Sequence, residues 1–166
     1  MHLRPFREGD QPSLQRHANN PRVAANLRDV FPHPYTLADA DWWIRAGSRH
    51  ENQFNRALVV DGQAVGGIGA VQLTDIYRAS AEIGYWLGEE YWGKGIVTEA
   101  LRQMVPLVFA HWPEVQRIFA GVFEYNAASM RVLEKAGFVR EAILRRALLK
   151  NGRVYDDHFF AVWRNQ

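Results

Sequence analysis

The apolar positions change their spacing several times along the chain, and each change marks a new element. Residues 3–6 read as a short first strand. Leu14, Ala18, Val23 and Leu27 then recur near helical spacing, which predicts either two short helices or one helix broken at Asn19-Asn20-Pro21. Phe31-Pro32-His33-Pro34-Tyr35-Thr36 reads as a loop, because each proline restricts itself and the residue before it. Thr36 or Asp39 then caps a helix that runs through Trp42, Trp43 and Ile44.

Further on, the spacing becomes that of strands. Residues 57–60 and 64–73 flank Asp61-Gly62, a hairpin turn, and another strand covers 81–87. A helix begins after Gly95 with Ala100, Leu101, Met104, Val105 and Val108 on its apolar side, and Pro106 kinks it or breaks its hydrogen bonding locally. Residues 117–123 form a strand, 127–136 a helix closed by Gly137, and 147–163 two strands joined at Asn151-Gly152. This mixed order predicts an α/β sheet with helices on both faces. No repeat and no Gly/Ser/Pro-rich linker divides the chain, so 1–166 reads as one domain.

Composition narrows the chemistry. With 166 residues, 48% of them apolar and 13% aromatic, one full core is expected. The absence of cysteine excludes disulfides, thiolate metal sites and a cysteine nucleophile, so any reacting thiol belongs to a cofactor. Met1-His2-Leu3-Arg4-Pro5-Phe6 lacks the pattern of a secretion signal and no apolar run reaches membrane-spanning length, so a cytoplasmic protein without membrane contact is expected. The net charge is +2. Arg140, Arg145, Arg146, Lys150 and Arg153 cluster, but Glu141 interrupts them, and a solvated face is expected in place of a nucleic-acid site.

The segment from Glu82 to Ala100 carries the most chemistry. A strand leads through Trp92-Gly93-Lys94-Gly95 into a helix, a turn that leaves main-chain N–H groups pointing one way at the positive end of the helix dipole. Such a turn suits a pyrophosphate, and glycines permit its close approach. A lone G-x-G usually only turns the chain. Here a second segment follows, Asn126-Ala127-Ala128-Ser129-Met130-Arg131-Val132-Leu133-Glu134-Lys135-Ala136-Gly137-Phe138, whose polar residues are also accounted for as helix caps.

Together these segments resemble the GNAT superfamily of N-acetyltransferases, within it the RimJ/RimL branch. Trp92 to Val97 correspond to the family's phosphate motif (Q/R)-x-x-G-x-(G/A), and Asn126 to Phe138 to its N-x-x-(A/S)-x-x-L-(Y)-x-K-x-G-F motif. The early L-R-P-F, Pro34-Tyr35-Thr36 and the terminal N-G-x-x-x-D at Asn151 to Asp156 are similar to the branch as well. The resemblance implies a mixed sheet of about six to seven strands, splayed between the fourth and fifth. It implies acetyl-CoA as acyl donor, no metal, and a primary amine as acceptor: a protein N-terminal α-amine or a small-molecule amine. Homodimers are frequent in the family.

In that frame Trp92, Gly93, Lys94, Gly95, Ile96 and Val97 cradle phosphates, the main chain around Trp86 and Leu87 pairs with the pantetheine arm, and Asn126 and Ser129 reach it from the other side. Trp92 and Val97 depart from the motif. Leu133 stands where the family often has a tyrosine acid, and Ser129 is the substitute. Glu82 corresponds to the family's catalytic glutamate and is the expected general base, needed because an α-amine of pKa near 8 is only about 10% neutral at pH 7. As alternatives, Glu82 faces solvent or pairs with an arginine.

Phe31, His33, Tyr35 and Trp86 are the expected acceptor wall, with Trp42 beside them. The Asp156-Asp157 pair either attracts a cationic amine or finishes a hairpin. His33, His111 and His158 show no metal-ligand spacing. The competing functions are acetylation of a polyamine, amino sugar or antibiotic, and non-catalytic acyl-CoA sensing.

Overall fold

The computed structural model describes residues 1–164. Its order is β1 (His2–Arg4), α1 (Gln11–Ala18), α2 (Pro21–Ala24), α3 (Leu37–Trp42), β2 (Gln53–Val60), β3 (Gln63–Gln72), β4 (Ser80–Leu87), α4 (Ile96–His111), β5 (Arg117–Phe123), α5 (Ala127–Lys135), β6 (Val139–Lys150) and β7 (Arg153–Trp163). The seven strands form one sheet in the order β1-β2-β3-β4-β5-β7-β6. All neighbours are antiparallel except β4 and β5, which are parallel.

Alternation along β2 divides the core between the two faces of the sheet. Leu58 joins Met104, Leu101 and Ile118 under α4, whereas Ala57 and Val59 join Leu14, Ala40 and Ile44 under α1 and α3. Helices therefore cover both faces, as the element order predicts.

Turn chemistry is obeyed closely. Asp61 and Gly62 both have positive φ, as do Asn151 and Gly152, the geometry of two-residue hairpin turns. The Thr36 hydroxyl accepts from the Asp39 N–H while the Asp39 carboxylate accepts from the Thr36 N–H, so both candidate caps act together in a capping box on α3. The helix ends in a π-helical turn, Trp43–Gly47.

Several elements differ in their limits from the sequence pattern. The first strand is His2–Arg4, not 3–6: Pro5 cannot donate to the ladder, and Phe6 packs into the core beyond it. Of the two readings open for 14–27 the two-helix one is observed, and only Leu27, past the second helix, departs from the pattern. β2 begins at Gln53, because strand pairing with β3 carries the polar run ahead of Ala57. β6 begins at Val139 and not at 147, with register breaks between Arg140 and Ala142 and between Leu144 and Leu148. α4 runs on through Pro106, which has no N–H to give to the helix.

Candidate functional site

β4 and β5 pair at only three positions, Ser80↔Arg117, Ala81↔Ile118 and Glu82↔Phe119. Past Glu82, β4 continues to Leu87 along β3, while β5 continues to Phe123 along β7. The sheet therefore opens as a V. A cavity of about 1310 Å³ fills it, lined by β4, β5, α5, the start of α4 and the segment after α2.

The start of α4 forms one end of this cavity. Gly93 and Gly95 have φ of +73° and +74°, and a Cβ at either would meet nothing within 4 Å, so backbone conformation, not crowding, calls for glycine there. The N–H groups of residues 93–98 have no acceptor among the described residues. Trp92 differs: its N–H is given to the Glu89 carbonyl at 3.0 Å, so the free donors begin one residue later than the motif suggests. The Lys94 ammonium lies 5.3 Å from the centre of the Tyr91 ring, outside the cavity lining, which leaves Lys94 only a main-chain role. Ile96 and Val97 pack on the core, so the Val97 departure leaves the donors uncovered.

The open edge of β4 comes next. Gly88 N–H donates to Val65 on β3 at 2.8 Å, so by alternation the Leu87 N–H points away from β3, into the opening. The Leu87 carbonyl accepts from Trp92 Nε1 at 2.8 Å, an indole bond that ties the glycine turn to the strand. The sequence places Trp92 in the phosphate cradle as a departure from the motif's Gln or Arg, and gives no sign of this indole bond.

The opposite arm presents α5. Asn126 caps it by accepting from the Ser129 N–H at 3.1 Å. The Ser129 hydroxyl lies 2.6 Å from the Tyr85 hydroxyl, and both line the cavity. Burial pushes the Tyr85 phenol up to about 12, with the Ser129 bond working the other way. Leu133 is fully buried in the core, so nothing at that position reaches the cavity. Tyr85 was missed because alternation groups it with Ala81, Ile83 and Leu87, the core-facing residues of β4.

Glu82 and Trp86 face the other side of the sheet. The Glu82 carboxylate is hydrogen-bonded and ion-paired to Arg28, so of the readings open for it, an arginine partner is observed. Phe31 stacks on Tyr35 with ring centres 5.3 Å apart and meets Trp86 edge-on at 5.7 Å, an aromatic wall beside Glu82. Trp42 lines the same cavity and is exposed, not a core residue.

His33 is exposed and outside the cavity lining, because the chain bends at residues 33–34 and turns Tyr35 inward in its place. His111 packs against Phe54 at 4.5 Å, far from this wall in role. Among the described residues, no group of three or more His, Asp or Glu could hold a metal ion, and no helix is long and apolar enough to cross a membrane.

Comparison with known proteins agrees with this geometry. Residues 1–139 match the acetyltransferase (GNAT) domain model. The putative ribosomal N-acetyltransferase YdaF of Bacillus subtilis is 32% identical over 150 residues, covering 90% of this chain and 75% of YdaF. The probable N-acetyltransferase YjcK of the same organism is 48% identical over 94 residues, 55% of this chain, and the match spans about half of YjcK, 51%. The structure of Mycobacterium smegmatis RimJ in complex with CoA-disulfide superposes with a TM-score of 0.84 at 27% identity, over 97% of this chain and 80% of that one. A sheet splayed between β4 and β5, free donors at the head of α4 and these matches lead to one assignment: the chain belongs to the GNAT acetyltransferase family, on its RimJ/RimL-like branch.

Proposed function

We propose that the protein is an acetyl-CoA-dependent N-acetyltransferase whose acceptor is a protein N-terminal α-amine or a similar small primary amine. The observation that carries this reading is the placement of two kinds of proton-handling group on opposite faces of one opening: Glu82 on one side, Ser129 with Tyr85 on the other.

The residues present fit the donor. Free N–H groups at 93–98, at the positive end of α4, suit a pyrophosphate, and the two glycines leave it room. The Leu87 N–H and Asn126 are placed to hold the pantetheine arm. Acetyl-CoA supplies the activated acyl thioester; the protein supplies position and proton transfer.

Glu82 takes the proton that the acceptor ammonium must lose before its nitrogen can attack. Ser129 donates toward the leaving sulfur, and Tyr85 stands behind it as the next hydroxyl. Because burial keeps the Tyr85 phenol protonated up to about 12, it can resupply Ser129 throughout the neutral range. That pair replaces the missing tyrosine at Leu133 and speaks against a purely sensing role. The likeness to YdaF, a putative ribosomal N-acetyltransferase, favours a ribosomal protein as acceptor over a small amine.

The test is thiol release from acetyl-CoA against short peptides with Ala, Ser and Met amino termini, free lysine, spermidine and an aminoglycoside. Turnover with the peptides supports the reading. Turnover with spermidine alone moves the acceptor to polyamines, and confirmed acetyl-CoA binding without turnover moves the function to sensing.

A further inference from the structure

Consecutive residues of a strand face opposite ways, and β7 carries two consecutive aspartates. Asp156 is satisfied at the surface, accepting from Arg145 Nη1 at 2.6 Å and from the Arg146 N–H at 2.8 Å. Asp157 is not. It is 9% exposed, lines the cavity, and its Oδ1 has no hydrogen-bond partner among the described residues.

The register fixes where this carboxylate stands. Glu82 is opposite Phe119 on β5, and Phe123, four residues on, is opposite Asp157 on β7, so Glu82 and Asp157 share one face of the sheet across the opening. Gly121 lies between, and a Cβ there would stand 2.8 Å from Asp157 Oδ1: the carboxylate lies over bare backbone, a place any side chain would fill. Burial pushes the Asp157 carboxyl above its ordinary range; the Val122 main chain opposes this, the Glu82 charge adds to it, and Arg28 and His158 oppose it. A buried acceptor atom left unpaired is costly, and in a native protein it calls for an explanation, a functional role among them.

We propose that Glu82 and Asp157 together form the subsite for the acceptor's ammonium group, and that Arg28 is its internal occupant, displaced when a cationic amine enters. The proposal rests on the acetyl-transfer reading above. Arg28 suits the part. Its side chain is 72% exposed and its guanidinium bonds only to Glu82 among the described residues. Its backbone neighbours are anchored independently, by the Tyr125 hydroxyl on the Ala25 carbonyl at 2.6 Å and by Lys150 on the Leu27 carbonyl at 2.8 Å and on Asp29 at 2.7 Å. The side chain can swing out while the loop stays.

A primary ammonium has three N–H bonds, and the subsite uses two of them. One proton passes to a Glu82 oxygen, its bonding pair remaining on nitrogen as the lone pair that attacks. A second N–H donates to the Asp157 carboxylate where that residue lines the cavity, and holds that lone pair in orientation. Two carboxylates also repel a carboxylate on the carbon next to the amine. The acceptor class is therefore a primary amine without an adjoining carboxylate, such as a peptide amino terminus, and not a free amino acid.

The experiment uses the full chain saturated with CoA and the probe Ser-Ala-Ala amide with a free amino terminus, alongside its N-acetylated twin. Calorimetry gives the peptide Kd and thiol release gives KM for wild type, Asp157→Asn and Arg28→Gln. The expected results are a Kd and KM about tenfold higher for Asp157→Asn, the size of one charge-assisted hydrogen bond, and a lower Kd for Arg28→Gln. The acetylated twin should respond to neither change. Unchanged peptide affinity in Asp157→Asn overturns the subsite, and so does weaker binding in Arg28→Gln, which would make Arg28 a substrate contact. If thiol release persists with an unaltered KM in Asp157→Asn, the subsite fails while acetyl transfer stands. If the Kd changes appear as expected but no thiol is released by wild type, the subsite stands while acetyl transfer fails.

Discussion

The Tyr85 hydroxyl on β4 and the Ser129 hydroxyl on α5 stand 2.6 Å apart and join the two arms of the sheet across their opening. This contact supplies two exchangeable protons, whereas Leu133, where the family often has a tyrosine, supplies none. Ser129→Ala should lower kcat by about 10²-fold, within the usual range for a general acid, and Tyr85→Phe by less. If the two act in series as proposed, the double variant should be no slower than Ser129→Ala within about threefold. Steady-state kinetics at saturating acetyl-CoA would check this, and full activity in Ser129→Ala would remove serine from the reaction.

Gly93→Pro or Gly95→Pro should abolish acetyl-CoA binding measured by calorimetry. Each glycine has a positive φ that proline cannot adopt, and each substitution deletes one of the free N–H donors. Unchanged affinity in both variants would place the phosphates elsewhere.

For Glu82→Gln, turnover near neutral pH should fall by about 10²-fold while acetyl-CoA affinity is retained. Without a base, the reaction depends on amine that is already neutral, so the pH optimum should move upward. A pH–rate profile indistinguishable from wild type would assign the proton to another group.

Folding stability should fall between pH 10 and 12. Tyr35 and Tyr85 are each pushed up to about 12 by burial, whereas an unfolded tyrosine ionises near 10. Below pH 10 both states are protonated; above it the unfolded chain loses protons that the folded chain keeps, which favours unfolding by up to ~3 kcal/mol per phenol. Tyr85→Phe should flatten that decline in denaturant titrations at pH 9 and 11. An equally steep decline in the variant would show that the phenol ionises freely in the fold.

What could be read from the sequence was what is written locally. Gly137 closing α5, the two hairpin turns and the head of α4 each depend on a few adjacent residues whose conformational preferences allow little else. The early half of β6 was hidden because Arg140, Glu141, Arg145 and Arg146 break its alternation; pairing with β7 alone makes it a strand. Tyr85 was hidden for a related reason, and for Asp157 the sequence left two readings open, a cationic amine or the end of a hairpin. Whether a strand residue meets core, solvent or cavity depends on where neighbouring strands diverge, and that divergence is set by register between segments far apart in the chain.

Three residue pairs between β4 and β5 are a weak seam for a seven-stranded sheet. Mechanically the sheet is two plates, β1 to β4 and β5 to β7, joined at one end by that seam and braced by the helices. A ligand seated in the V and bonded to both plates does the work of the missing strand pairs. A donor bound there as proposed would also be a cross-piece of the architecture: ligand at 100 times its Kd would add about 2.7 kcal/mol to folding stability by mass action alone. On that reading, release of the spent carrier would return the sheet to its less braced form.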